Sequence, residues 1–152
     1  MIYVAYDEED VAYIVIYNVS TMELTKTLET PCSYGVQSVR ANGKYLALGC
    51  WTKNKVYLLK LGDQNATFDT LSDIDESNFA GPNVVTVDTE DNVLVVDEFH
   101  HRIQIYQAGT WQTLKLEPQP RYPTAAVYIN DTLYVSGGVL SDSFYISMYA
   151  VE

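Results

Sequence analysis

An apolar-x-apolar-apolar tetrad recurs four times along the chain: Ile14-Val-Ile16-Tyr17, Val56-Tyr-Leu58-Leu59, Ile103-Gln-Ile105-Tyr106 and Ile146-Ser-Met148-Tyr149. Their first residues, 14, 56, 103 and 146, are separated by 42, 47 and 43 positions. A second apolar segment precedes each: YVAY at 3–6, LALG at 46–49, LVVD at 94–97 and YVSG at 134–137. Before three of these come SVRANG (38–43), TVDTEDN (86–92) and AVYIND (126–131), ending in the turn pairs Asn42-Gly43, Asp91-Asn92 and Asn130-Asp131. Such pairs suit hairpins. LTKTL (24–28), TFDTL (67–71) and WQTLKL (111–116) follow the first three tetrads and alternate like half-exposed strands.

The repeating unit is thus four short antiparallel strands, here lettered a to d. A fixed period of four strands per 40–50 residues is the mark of a β-propeller blade. A β-sandwich also uses short patterned strands but predicts no fixed period. The expected fold is all-β, a propeller segment of three to four blades with 14 strands. Blade 1 (1–31) supplies b, c and d; blades 2 (32–76) and 3 (77–119) are whole; blade 4 (120–152) supplies a, b and c. The expectation is one domain, or a piece of a larger ring. Two incomplete blades leave open flanks and unpaired strand edges, which predicts self-association or completion by further blades.

Composition narrows the function classes. The apolar fraction of 47% argues against disorder, and 13 tyrosines favour strands. No apolar run approaches the ~20 residues of a membrane span. The opening MIYVAYDEED lacks the basic-then-apolar order of a signal peptide, whereas sequons at Asn18, Asn65 and Asn130 keep a secreted origin open. A net charge of −11 disfavours nucleic acid, so a protein or peptide partner is expected before RNA. Cys32 and Cys50 form no zinc pattern, and the sequence leaves both a disulfide and two buried thiols open.

Residues 79–107, FAGPNVVTVDTEDNVLVVDEFHHRIQIYQ, resemble an NHL repeat. That pattern begins with an aromatic residue (Phe79) and Pro82. It continues through Val87-Asp88, Asn92 and Val96-Asp97, and closes with His101-Arg102, Ile103-Gln104 and Tyr106. Blade 4 keeps Tyr122-Pro123 and Val127; blade 2 keeps Tyr34-Gly35-Val36 and Val39. The resemblance implies a propeller that selects protein or RNA targets, in chains where it follows a tripartite-motif ubiquitin-ligase region. Propellers similar to NHL repeats also include calcium-dependent lactonases and an amidating lyase. Those enzymes imply a carboxylate/Asn cluster drawn from several blades; here only Asp88 and Asp97 sit at plausible strand ends, and their equivalents (Arg40 and Tyr128; Gly49 and Gly137) do not repeat them.

The two histidines adjoin Asp97 and Glu98 in VDEFHHR. A four-residue loop would set Asp97 opposite Arg102, where charge-assisted hydrogen bonds can hold the turn. His100 and His101 would point apart, and joint metal binding would need a third ligand from elsewhere. No cofactor is expected. DIDESNF (73–79) departs from a calcium loop at its sixth and twelfth positions and reads as a solvated acidic loop. The b–c and d–a loops emerge on one face, and its candidate ligand-binding residues are Trp51, Lys53, Phe99, His100, His101, Arg102, Arg121 and Tyr122. Tyr34, Phe79 and Tyr122 occupy equivalent places before strand a and are expected to pack between blades.

Overall fold

The structure, a computed structural model, describes residues 1–63, 66–71, 79–88, 90–129, 132–139 and 143–150. The asparagines of the Asn65 and Asn130 sequons, the Asn130-Asp131 turn and the acidic stretch 73–78 lie outside the described residues.

Fourteen strands form four antiparallel sheets, each with its strands in chain order. Sheet 1 holds β1 (Ile2–Glu8), β2 (Val11–Tyr17) and β3 (Leu24–Glu29). Sheet 2 holds β4 (Val36–Ala41), β5 (Tyr45–Cys50), β6 (Lys55–Lys60) and β7 (Asp69–Leu71). Sheet 3 holds β8 (Pro82–Val87), β9 (Val93–Asp97), β10 (Arg102–Gln107) and β11 (Thr110–Thr113). Sheet 4 holds β12 (Pro123–Ile129), β13 (Thr132–Val139) and β14 (Ser143–Ala150). The sheets are the expected b-c-d, a-b-c-d, a-b-c-d and a-b-c sets. Among the described residues no helix is long and apolar enough to cross a membrane.

Side chains alternate across each strand, so each inner sheet buries one apolar set on either side. Ala12, Ile14 and Ile16 of sheet 1 meet Leu46, Leu48, Tyr57 and Leu59 of sheet 2. The other side of sheet 2, with Ala47 and Val56, meets Val87, Val93 and Val95 of sheet 3, and Phe79 stacks edge-on against Trp111 there. Leu94, Val96 and Ile103 then meet Ala126, Leu133, Val135 and Tyr149 of sheet 4. Three successive cores of the same construction make a single row of sheets.

Two irregularities recur and set register. Strand a carries a bulge at its start in every sheet that has one, between Val36 and Ser38, Pro82 and Val84, and Pro123 and Ala125. Bulges re-aim the chain where it enters a sheet. In sheets 2 and 3 the a–b turns are longer than the two-residue hairpins expected. In sheet 2, Asn42 Oδ1 accepts from the amides of Lys44 (3.0 Å) and Tyr45 (2.8 Å), so the last paired residues are Ala41 and Leu46. In sheet 3, Asp88 Oδ1 accepts from Glu90 (2.8 Å) and Asn92 (2.9 Å), organising that turn in place of Asp91-Asn92. Asn42 Nδ2 also donates to the Asp88 carbonyl and to Asp91 Oδ1, both at 2.8 Å, tying neighbouring a–b turns together.

Candidate functional site

The face opposite those turns gathers the b–c and d–a loops. Its hub is Asp97, which is fully buried at the end of β9 and pairs with Arg102 across the hairpin, as expected. Arg102 Nε donates to Asp97 Oδ2 at 2.8 Å. His100 Nδ1 donates to the same oxygen at 2.9 Å, and the Ala80 amide donates to Oδ1 at 2.8 Å. One carboxylate therefore closes its own b–c hairpin and holds the incoming d–a loop. The loop itself is a 3₁₀ turn over Glu98–His100 that ends on His101 in the left-handed conformation, φ 55°.

Register identifies the residues that stand in Asp97's place, and each sheet closes this hairpin by different chemistry. In sheet 1 the place belongs to Tyr6, whose ring stacks on cross-strand Tyr13 at 5.4 Å. In sheet 4 it belongs to Gly137, which pairs with Tyr145; the Tyr145 hydroxyl donates to the Arg121 carbonyl at 2.5 Å. In sheet 2 it belongs to Cys50, which pairs with Lys55 and Val36. Counting from a two-residue Asn42-Gly43 turn would set Cys50 opposite Gly35, and aligning LALG with LVVD would make Gly49 the counterpart of Asp97. The longer turn and the bulge at Val36–Ser38 move the first assignment, and the pairing of Cys50 with Lys55 moves the second.

Cys50 and Cys32 are free, buried thiols. A hydrogen bond from Cys32, reinforced by Thr52 and Lys53, pulls the Cys50 thiol down to about 6. The same hydrogen bond, with burial, pushes Cys32 up. Sharing one proton favours the thiolate on Cys50 over Cys32. Of the two outcomes the sequence left open, the structure has the thiol pair.

A second motif joins each sheet to the next. Asp7 Oδ2 accepts from the Gly35 amide (3.2 Å), Asn54 Oδ1 from Gly81 (3.0 Å) and His101 Nδ1 from Tyr122 (3.0 Å). Asn54 and His101 stand at the b–c turns of their sheets, and Asp7 stands near the end of strand b. The donor immediately precedes strand a of the next and has positive φ, at 76°, 64° and 45°. Asn54 and His101 are themselves left-handed residues one position before strand c. These three side chains latch the row together at one rim. The His101 ring also meets Tyr122 edge-on at 4.1 Å. Asn54 and Asp7 escape a motif search. The signal for Asn54 is its alignment with His101: Asn54-Lys55 and His101-Arg102 stand at the same step before the apolar tetrad. Each latch bond is worth about 1 kcal/mol net. Asn54→Ala should therefore cost about 1 kcal/mol in urea unfolding. His101→Ala, which also loses the ring contact, should cost about 2 kcal/mol.

The remaining candidates divide. Trp51 and Phe99, from adjacent b–c loops, are half-exposed and converge on Gly81. A Cβ on Gly81 would stand 2.9 Å from both Trp51 Nε1 and Phe99 Cε2, and φ of 64° favours glycine there too. The Trp51 Nε1–H finds no acceptor among the described residues. Lys53 donates to the Pro31 carbonyl on the neighbouring d–a loop, so its ammonium is partly committed to structure. Arg121 is exposed on the rim, beside Tyr122.

One expectation needs correction. Only Phe79 of the three pre-strand aromatics is fully buried between sheets; Tyr34 is half-exposed. The bond from Thr52 Oγ1 to the Tyr34 carbonyl (2.7 Å) fixes that backbone without drawing the ring inward. Tyr122 is partly buried, against His101. Asp88 and Asp97, the two carboxylates that the sequence sets at strand ends, stay apart. β8 and β9 are antiparallel, with Val87 paired to Val93 and Pro82 to Asp97, so Asp88 and Asp97 lie at opposite ends of the sheet. Among the described residues no three His, Cys, Asp or Glu side chains converge as a metal site.

No protein-family model matches the chain, and no curated protein sequence does. Solved structures do match. A streptogramin B lyase superposes with a TM-score of 0.61 over 94% of this chain, at 12% identity. This is a β-propeller fold. A catalytically inactive virginiamycin B lyase from Staphylococcus aureus, with quinupristin, gives 0.63 over 95% at 11% identity. The dihydro-heme d1 dehydrogenase NirN gives 0.62 over 99% at 13% identity. The propeller segment spans 48% and 58% of the two lyase chains and 34% of NirN. At such identities the likeness is one of fold.

Proposed function

We propose that this propeller segment is a non-catalytic recognition module of NHL-like type that binds a protein or peptide through its b–c/d–a face. Residues 1–31, 32–76, 77–119 and 120–152 act as successive blades of one domain. The observation that carries the reading is the half-exposed Trp51/Phe99 pair over Gly81. Two rings from different blades are held at fixed separation by a glycine and the Asn54 latch, so little side-chain entropy is lost on binding. Aromatic side chains with nearby arginine are the usual anchors of interfaces. The polar residues around them are engaged: Asp97, His100 and Arg102 with one another, and His101 with Tyr122. That arrangement suits a rigid platform better than proton transfer. The net charge of −11 favours a peptide over RNA.

A displayed library of random peptides, selected against the protein and followed by fluorescence polarisation of the labelled peptides, tests the reading. Peptides that bind should lose at least about tenfold in affinity with Trp51→Ala or Phe99→Ala, while the melting temperature stays put. Equal binding by both variants, or preferential binding of a single-stranded RNA oligomer, would refute it.

A further inference from the structure

The outward faces of the two terminal sheets do not look like surfaces made for water. An antiparallel sheet with one solvated face alternates apolar-in and polar-out. β14 instead turns Phe144, Ile146 and Met148 outward, beside Val127, Ile129 and Tyr134 of its own sheet. Sheet 1 presents Ile2, Val4, Tyr6, Tyr13, Val15 and Tyr17 on its outward face.

Repeat register shows what these positions do elsewhere. Ile14, Val56, Ile103 and Ile146 are one position in four sheets, and their exposures are 0%, 0%, 0% and 74%. The first three fill the core toward the next sheet. On the opposite side, Val4, Leu48, Val95 and Val135 are one position, exposed 43%, 0%, 0% and 0%. The last three fill the core toward the preceding sheet. Sheet 4 thus offers the surface that sheets 1 to 3 bury against a successor, and sheet 1 offers the surface that sheets 2 to 4 bury against a predecessor.

We propose that the outward face of sheet 4 docks the outward face of sheet 1 of a second copy of the chain, and that two copies close head to tail into one ring. Three internal junctions already join a surface of the first kind to one of the second, so the contact repeats a junction the fold makes within itself. It is heterologous, and heterologous contacts form a ring when their rotation closes. Two copies supply eight sheets, within the four to eight blades of closed propellers.

The experiment is sedimentation and light scattering of the 152-residue chain at micromolar concentration, with Ile146→Asp, Met148→Lys and Val4→Asp variants checked for an unchanged β circular dichroism spectrum. The expected result is a particle of twice the 17.1 kDa chain mass with a ring-shaped small-angle scattering profile. Each variant should fall to the monomer mass at tenfold higher concentration. An equimolar mixture of Ile146→Asp with Val4→Asp should regain a dimer, because each mutant keeps the flank that the other has lost. A monomeric wild-type chain would overturn the proposal. So would a Val4→Asp variant as dimeric as wild type, which would mean that sheet 4 pairs with itself, or open-ended aggregation in place of a closed dimer.

Discussion

Arg102→Ala should lower the free energy of unfolding by about 3–4 kcal/mol. Among the described residues, the substitution leaves the fully buried Asp97 carboxylate with His100 and the Ala80 amide as partners. Removing one member of a buried ion pair typically costs about 3–5 kcal/mol, because the survivor's desolvation is no longer offset. The two remaining hydrogen bonds and the partial exposure of Arg102, 19%, keep the estimate in the lower part of that range. Asp97→Ala should be as damaging, since it also orphans the Ala80 amide and loosens the junction between sheets 2 and 3. The double variant should lose less than the sum of the singles, by about 1–3 kcal/mol. Urea unfolding of the four proteins measures this cycle. A purely additive result would mean that the ion pair does not organise the turn.

Gly137→Ala comes second, with an expected loss of about 2–3 kcal/mol from overpacking. Gly137 stands in Asp97's place in sheet 4, but the space a side chain would fill is taken. A Cβ there would approach Tyr145 Cζ at 2.6 Å and the Arg121 carbonyl at 2.8 Å. The tyrosine is pinned by its hydrogen bond to that carbonyl and cannot swing aside freely. Trimming the tyrosine should relieve part of the clash, so Gly137→Ala/Tyr145→Ala should be more stable than the two single losses added together. Thermal melts of the three variants decide it. An unchanged melting temperature for Gly137→Ala alone would show that the Tyr145 wedge is loose.

The strands were legible because burial on a pleated sheet imposes a two-residue period, and repetition of the blade imposes a longer one. Ile14, Val56, Ile103 and Ile146 mark the same step of strand c in sequence and in space. The Asp97–Arg102 pair was legible for a related reason: a short hairpin leaves few ways to place its two ends. Loops obey no such period. Their course is set by single hydrogen bonds, such as the two that Asn42 Oδ1 accepts from successive amides, while the pairing of β5 with β6 puts Cys50 in Asp97's place. Tyr34 and Phe79 both precede strand a, but two and three residues before it, and only Phe79 has a Trp111 to pack against.

The sequence alone determined the four-strand unit, its register of apolar positions, and the all-β character, because those follow from alternation and turn chemistry within about fifty residues. Tertiary structure decided how the rim is fastened. Asp7, Asn54 and His101 share no residue type, and become equivalent only when each meets the amide that enters the next sheet. It also decided the fate of the apolar set on β14. Its pattern matches the buried strands before it, and only the position of sheet 4 at the end of the row leaves that pattern facing outward.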